Sequence, residues 1–197
     1  KATFPSRPAF PMRGDLNIVF TLRDLQPENK VVDETFHFVG PLMNSQAGGD
    51  FPFETVGSGP LVYISLGTLH VGSVDFFHQC FEAFGSMPAQ FILSVGKQTD
   101  IQALEPIPSN FIVRPFVPQI EVLERASVFI THGGMNSVLE GLYYGVPMIL
   151  IPQQFEQLLI ALYVAEQGAG LVVRGPLSGR RVTSPELRQV LERILAE

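Results

Sequence analysis

Along the chain the apolar positions fall into short blocks set apart by polar, glycine- and proline-bearing stretches, and the spacing inside each block predicts its element. Leu61-Val62-Tyr63-Ile64 is a continuous apolar run of strand length. Phe76, Phe77, Cys80, Phe81 and Phe84 then recur at the spacing of one helix face. Strand-length runs return at residues 90–95, 111–114, 128–130 and 147–151. Helical spacing returns at Val138, Leu139, Leu142 and Tyr143, and again at Leu158, Leu159, Leu162 and Val164. Thr183-Ser184-Pro185-Glu186 has the residue order of a helix start, and Leu187, Val190, Leu191, Ile194 and Leu195 continue it on one face. Strands that are apolar throughout, instead of alternating, must be covered on both faces. With helices between them, the pattern predicts an α/β fold built on a Rossmann-like doubly wound parallel sheet.

Two further strand-like runs, 16–20 and 36–39, precede this region and close at Gly40-Pro41. The stretch 44–60 then changes to Gly48-Gly49-Asp50 and Gly57-Ser58-Gly59-Pro60, a loop or linker composition. The expected organisation is a remnant of a preceding domain over 1–43, a linker over 44–60 and one full domain over 61–197. A first residue other than Met, with a strand-like run soon after it, gives the expectation that the chain starts inside a longer protein.

Composition removes several function classes. The 197 residues are 46% hydrophobic and 16% charged, which excludes disorder. A net charge of −6, with no basic cluster denser than Arg180-Arg181, argues against nucleic acid as a partner. Cys80 is the only cysteine, so neither an intrachain disulfide nor a multi-cysteine zinc site can form; a reducing cytoplasm is the expected location. No apolar run approaches the roughly 18–20 residues of a transmembrane helix, so none is expected.

In a doubly wound sheet, ligands sit outside the carboxyl ends of the strands. That rule directs attention to residues 67–68, 115–119, 132–137 and 152–157. The strongest of these is Thr131-His132-Gly133-Gly134-Met135-Asn136-Ser137, which follows one strand and opens a helix. Adjacent glycines let backbone amides approach a ligand, and amides at a helix N-terminus favour an anion. With His132, Asn136 and Ser137 adding side-chain donors at the same point, a phosphate or diphosphate fits. Glu140 shares a helical face with Asn136 and Ser137. A carboxylate beside an anion site needs hydroxyls to accept from, and a ribose diol supplies them. Taken singly, His132 reads as a structural histidine and Glu140 as a solvated helix residue; their common spacing after a strand reverses that balance.

Phe116-Val117-Pro118-Gln119 offers an aromatic face on which a base can stack, backbone groups at Val117 to read its edge, and a carboxamide. Glu156-Gln157, after Pro152, can both accept from and donate to sugar hydroxyls, although an acidic residue is also ordinary in a helix first turn. Thr68 stands at the end of the first strand of the main domain, within reach of the same anion. His37, His70 and His78 show no metal-ligand spacing. Gly57-x-Gly59 precedes a strand and has Val62 where a dinucleotide fingerprint needs its third glycine, so NAD and FAD are not supported. No Walker lysine, Gly-x-Ser-x-Gly elbow or His-Glu-x-x-His pair is found.

Phe116-Val-Pro-Gln119, His132-Gly-Gly-Met-Asn-Ser137, Glu140, Gly145-Val-Pro147 and Glu156-Gln157, in this order and spacing, resemble the donor-site signature of family 1 glycosyltransferases, most closely the bacterial macrolide-type branch. The likeness spans about residues 61–170. Phe116 and Met135 stand where the plant form has Trp, and both fit the bacterial branch. The resemblance implies the C-terminal half of a two-domain GT-B architecture that binds a UDP-sugar. By carry-over, Phe116 and Val117 would hold the base and Gln119 would contact ribose or base. His132, Gly134, Asn136 and Ser137 would hold the diphosphate with help from Thr68, Glu140 the ribose, and Glu156 with Gln157 the sugar.

It further implies inverting transfer of a hexose, with UDP-glucose the expected donor, to a hydroxyl of a small acceptor such as a macrolide or flavonoid, with no metal or other cofactor. The family's catalytic base lies in the first domain, so no catalytic residue is expected in this chain, which would bind the donor without transferring sugar. Three other readings stay open: a GT-B enzyme acting on lipid or cell-wall precursors, a nucleotide-sugar epimerase of similar architecture, and a non-catalytic nucleotide-sugar-binding module.

Overall fold

The computed structural model describes residues 14–25, 32–43, 51–67, 74–173, 175, 177 and 179–196. The chain divides into two compact units, Lys1–Leu42 and Met43–Glu197. In the first, the β-branched and aromatic runs form two short strands, β1 (Asn17–Val19) and β2 (Phe36–Phe38), which pair in parallel. The Asn17 carboxamide donates to the Gly14 carbonyl and to Thr35 Oγ1, each at 3.0 Å, and so ties the two segments together beside the pair.

In the second unit every apolar block read as a strand is one. These are β3 (Leu61–Ser65), β4 (Gln90–Ser94), β5 (Phe111–Arg114), β6 (Val128–Thr131) and β7 (Met148–Leu150), joined by β8 (Gly170–Val172). All pair in parallel, in the spatial order β5-β4-β3-β6-β7-β8. Counted from β3 this is 3-2-1-4-5-6, the doubly wound order of dinucleotide-binding folds. The helices are α1 (Val74–Phe84), α2 (Gln119–Leu123), α3 (Met135–Tyr143), α4 (Phe155–Glu166) and α5 (Ser184–Ala196). None of the described helices is long and apolar enough to cross a membrane.

Every residue of β3, β6 and β7 is buried, whereas β5 and β8, at the two edges, are only partly so. Alternate residues go to opposite faces. Val62, Ile64, Phe91 and Leu93 join one core with Phe77, Cys80 and Phe84 of α1 and Leu187 and Leu191 of α5. On the other face Tyr63 stacks on Phe129 at 5.0 Å between centroids, and α3 comes so close that a Cβ on Gly141 would stand 2.9 Å from Met148 Sδ. α5 is fastened to α1 where Ser184 N donates to Gln79 Oε1 at 2.8 Å. Burial pushes the Cys80 thiol above its ordinary range, which keeps it protonated within that core.

Two elements go beyond the hydrophobic pattern. β8 is three residues long and opens on a glycine, too short and too weakly apolar to stand out; it forms by completing the sheet edge beside β7. α2 is a five-residue helix whose start overlaps the Phe116–Gln119 motif, and Pro118 is its N-cap. Within the 44–60 stretch, residues 51–60 hold to the second unit: the Arg125 guanidinium lies 4.3 Å over the Phe53 ring, and Gln90 N donates to the Pro60 carbonyl at 2.9 Å.

Phe91 is fully buried and stacks between Phe84 at 5.0 Å and Phe111 at 4.7 Å. Phe91→Ala should therefore destabilise the second unit by about 3–5 kcal/mol in urea unfolding; a loss below about 1 kcal/mol would mean that this aromatic stack does not carry the core.

Candidate functional site

The strand order places a crevice outside the carboxyl ends of the paired strands β3 and β6, because the chain leaves β3 toward one side of the sheet and reaches β6 on the other. A cleft of about 800 Å³ opens at that point. Its walls come from the segments that follow four strands: Gly67 after β3, Gly96 and Lys97 after β4, Phe116 and Val117 after β5, and His132 to Ser137 after β6. Gln154 and Gln157 of the α4 start close it on the β7 side.

Register explains how the centre of the cleft is built. Ser65 and Thr131, the last residues of β3 and β6, are direct partners, so Gly67 and His132 leave the sheet at the same level. The imidazole lies between two backbones: a Cβ on Gly67 would stand 2.8 Å from His132 Cε1, and one on Gly134 would stand 2.5 Å from Nε2. Gly67 and Gly133 also hold φ of +85° and +82°, which L side chains rarely adopt. Gly134, with φ −65°, has no such backbone need; the ring beside it is the reason for a glycine there. The Thr131 hydroxyl, in a fully buried side chain, sits 3.5 Å from His132 Nδ1 and accepts from Gly133 N at 3.4 Å.

Gly134 is also the N-cap of α3 and, lacking a side chain, makes no cap hydrogen bond to the first-turn amides. The positive end of the helix thus faces the cleft beside His132, Asn136 and Ser137. Among the described residues Lys97 is the only Lys or Arg in the cleft wall. Phe116, 61% exposed, presents an aromatic face at the rim, while its neighbour Val117 is buried.

Gln119 sits at the hub of a polar chain. Its Oε1 accepts from the Tyr63 hydroxyl at 3.2 Å, and its Nε2 donates to Ser137 Oγ at 3.2 Å and to Glu140 Oε2. Burial pushes the Tyr63 phenol above its usual range, so it remains protonated and able to donate. Gln157 is buried, and its Oε1 accepts from the Gln153 and Gln154 amides at 2.9 and 3.2 Å, capping α4.

Residues 49–197 match the protein family described as UDP-glucoronosyl and UDP-glucosyl transferase. The chain belongs to this UDP-sugar transferase family. Within the family, the uncharacterized UDP-glucosyltransferase YojK of Bacillus subtilis is 45% identical over 82% of this chain, which spans 40% of YojK. The oleandomycin glycosyltransferase of Streptomyces antibioticus is 30% identical over 92% of the chain and 45% of its own length. The crystal structure of the glycotransferase of kitacinnamycin superposes with a TM-score of 0.81 at 32% identity, over 93% of this chain and 47% of that one. The chain therefore spans about half the length of the family members it matches, and its six-stranded parallel sheet has the fold of a part of these GT-B glycosyltransferases.

Of the residues singled out in this family member's sequence, Phe116, Val117, Gln119, His132, Gly134, Asn136, Ser137 and Gln157 all line the one cleft. Glu140 is not in its wall and reaches it through Gln119. Glu156 is exposed in the first turn of α4 and also lies outside the wall, where Gln154 is found instead. Thr68 lies outside the described residues. Reading by motif passed over Tyr63, Ser94, Lys97 and Gln98. The last three follow or end β4, a strand terminus that the carboxyl-end rule also covers, so the signal was present in the sequence.

Ala fits the backbone angles of Gly134, and the atoms its methyl would meet first are those of the imidazole. Gly134→Ala should fold with a stability change under about 1 kcal/mol while displacing the ring, visible as shifted His132 imidazole resonances. Unchanged resonances would mean that the ring does not rest on this backbone.

Proposed function

We propose that the chain is the donor-binding half of an inverting glycosyltransferase acting in the cytoplasm, which carries a hexose from a UDP-sugar, UDP-glucose in the first instance, to a hydroxyl of a small natural-product acceptor. The observation that carries this reading is the His132 imidazole held between Gly67 and Gly134 at the uncapped start of α3, inside the cleft at the switch point of the sheet. An imidazole, a helix N-terminus and the hydroxyl of Ser137 converge where the diphosphate of a nucleotide sugar would lie. Phe116 offers the base a stacking face, and Gln157 with Glu156 at the start of α4 serve the sugar hydroxyls. The names of the relatives support the same donor class, since YojK is described as a UDP-glucosyltransferase and the Streptomyces protein as acting on oleandomycin.

In the reaction the acceptor oxygen forms a bond to the anomeric carbon from the face opposite the diphosphate. The bond from that carbon to the β-phosphate oxygen breaks, and its electron pair leaves with UDP. Charge grows on the departing oxygen, and the amides of α3 with His132 and Ser137 stabilise it without a metal ion. The acceptor proton goes to a base outside this chain, so the chain alone binds donor and transfers no sugar.

Titration with UDP, dTDP, UDP-glucose and NAD tests the reading. UDP and UDP-glucose should bind tightest, EDTA should leave their affinity unchanged, and His132→Ala should weaken UDP binding by about tenfold or more, the worth of one hydrogen bond to a charged group. Tighter binding of NAD than of any uridine or thymidine nucleotide would overturn it.

A further inference from the structure

The carboxamide of Gln119 has both ends committed inside the protein. Its oxygen takes the Tyr63 hydroxyl, and its nitrogen gives to Ser137 Oγ and Glu140 Oε2. A primary amide has two N–H groups, so those two bonds use all its donors. Its polarity is set by Glu140: a carboxylate can only accept, so it takes the NH₂ end and leaves the C=O end to the Tyr63 hydroxyl. Two consequences follow for the groups it meets. A hydroxyl that accepts from an amide keeps its own hydrogen to donate, so Ser137 presents a donor to the cleft it lines. The bond to Oε2 anchors the Glu140 carboxylate on one side, and its Oε1 takes no hydrogen bond from a described residue.

We propose that Tyr63 and Gln119 form a positioning pair that holds Glu140 for a ribose 2′-hydroxyl and so makes the cleft selective for ribonucleotides over 2′-deoxynucleotides. This rests on the nucleotide-sugar reading above and gives Gln119 an indirect part, exerted through Glu140. Tyr63 comes from the centre of β3, Gln119 from the start of α2 and Glu140 from α3, so three elements converge on one sugar hydroxyl. A hydrogen bond from a neutral hydroxyl to a carboxylate is worth roughly ten- to a hundredfold in affinity when its geometry is held. Most of that is lost when the carboxylate is free to turn.

The test is calorimetric titration of the 197-residue chain with UDP and with 2′-deoxy-UDP, which keep base and diphosphate constant. The wild type should favour UDP by about tenfold or more. Tyr63→Phe, which keeps the buried ring, should cut that preference to about threefold or less. Gln119→Glu, which cannot donate to Glu140 or Ser137 and adds a like charge, should abolish it. A role confined to packing would weaken both nucleotides alike and leave their ratio unchanged. Folded variants with the wild-type ratio, or a wild type that binds both nucleotides equally, would overturn the positioning role while leaving the nucleotide-sugar reading in place. Failure of the wild type to bind UDP at all would overturn that reading and this inference with it. Should Gln119→Glu fail to fold, the Tyr63→Phe ratio decides alone.

Discussion

The parallel pairing of β3 with β6 is the constraint on which the rest of the molecule depends. The two strands lie side by side, yet their connections run to opposite halves of the sheet, so no crossover can roof their carboxyl ends. Both are buried from end to end, and their backbone groups are taken up by neighbours on each side. The floor of the cleft is consequently part of the core itself. Register then does the fine placement: because Ser65 faces Thr131, a histidine one residue beyond one strand meets a glycine two residues beyond the other.

Around that floor, the cleft is assembled from groups that the core could not contain. Backbone amides at the start of α3, an imidazole, a serine hydroxyl and a lysine stand in the wall, while the apolar halves of the same strands turn toward α1, α3 and α5. Glu140 of α3 stands behind the wall, bonded to the Gln119 amide that lines it. A like-signed group is thus kept close to the site without lining it, which limits its repulsion of a phosphate while leaving one oxygen for a hydroxyl.

Much of this was legible from the residues because the apolar runs were unambiguous. Five of the six strands of the main sheet, and the helices α1, α3, α4 and α5, follow from period and length alone, since a continuous run such as Met148–Leu150 has no other stable use than a doubly covered strand. β8 and α2 were not legible: both are too short for a period to show, and each exists through its neighbours, β7 for one and the β5 exit for the other. The site divides in the same way. His132, Asn136 and Ser137 announce themselves by adjacency to two glycines after a strand. Tyr63 does not, because a tyrosine inside an apolar strand reads as core, and it is core; only the fold brings its hydroxyl to Gln119, 56 residues away in sequence. Lys97 stands at a strand exit to which the carboxyl-end rule does point, although one exposed lysine after a glycine carries no motif of its own.

The engaged state of Gln119 also bears on how such a chain can change over generations. Each of its partners takes a particular end of one amide, so a substitution at Tyr63, Gln119, Ser137 or Glu140 alone removes a bond that another of the four makes. A change at any one of the four is therefore felt by the others. The four positions, scattered over nearly eighty residues of sequence, behave as a single heritable character, and lineages that alter it are expected to do so in compensated pairs.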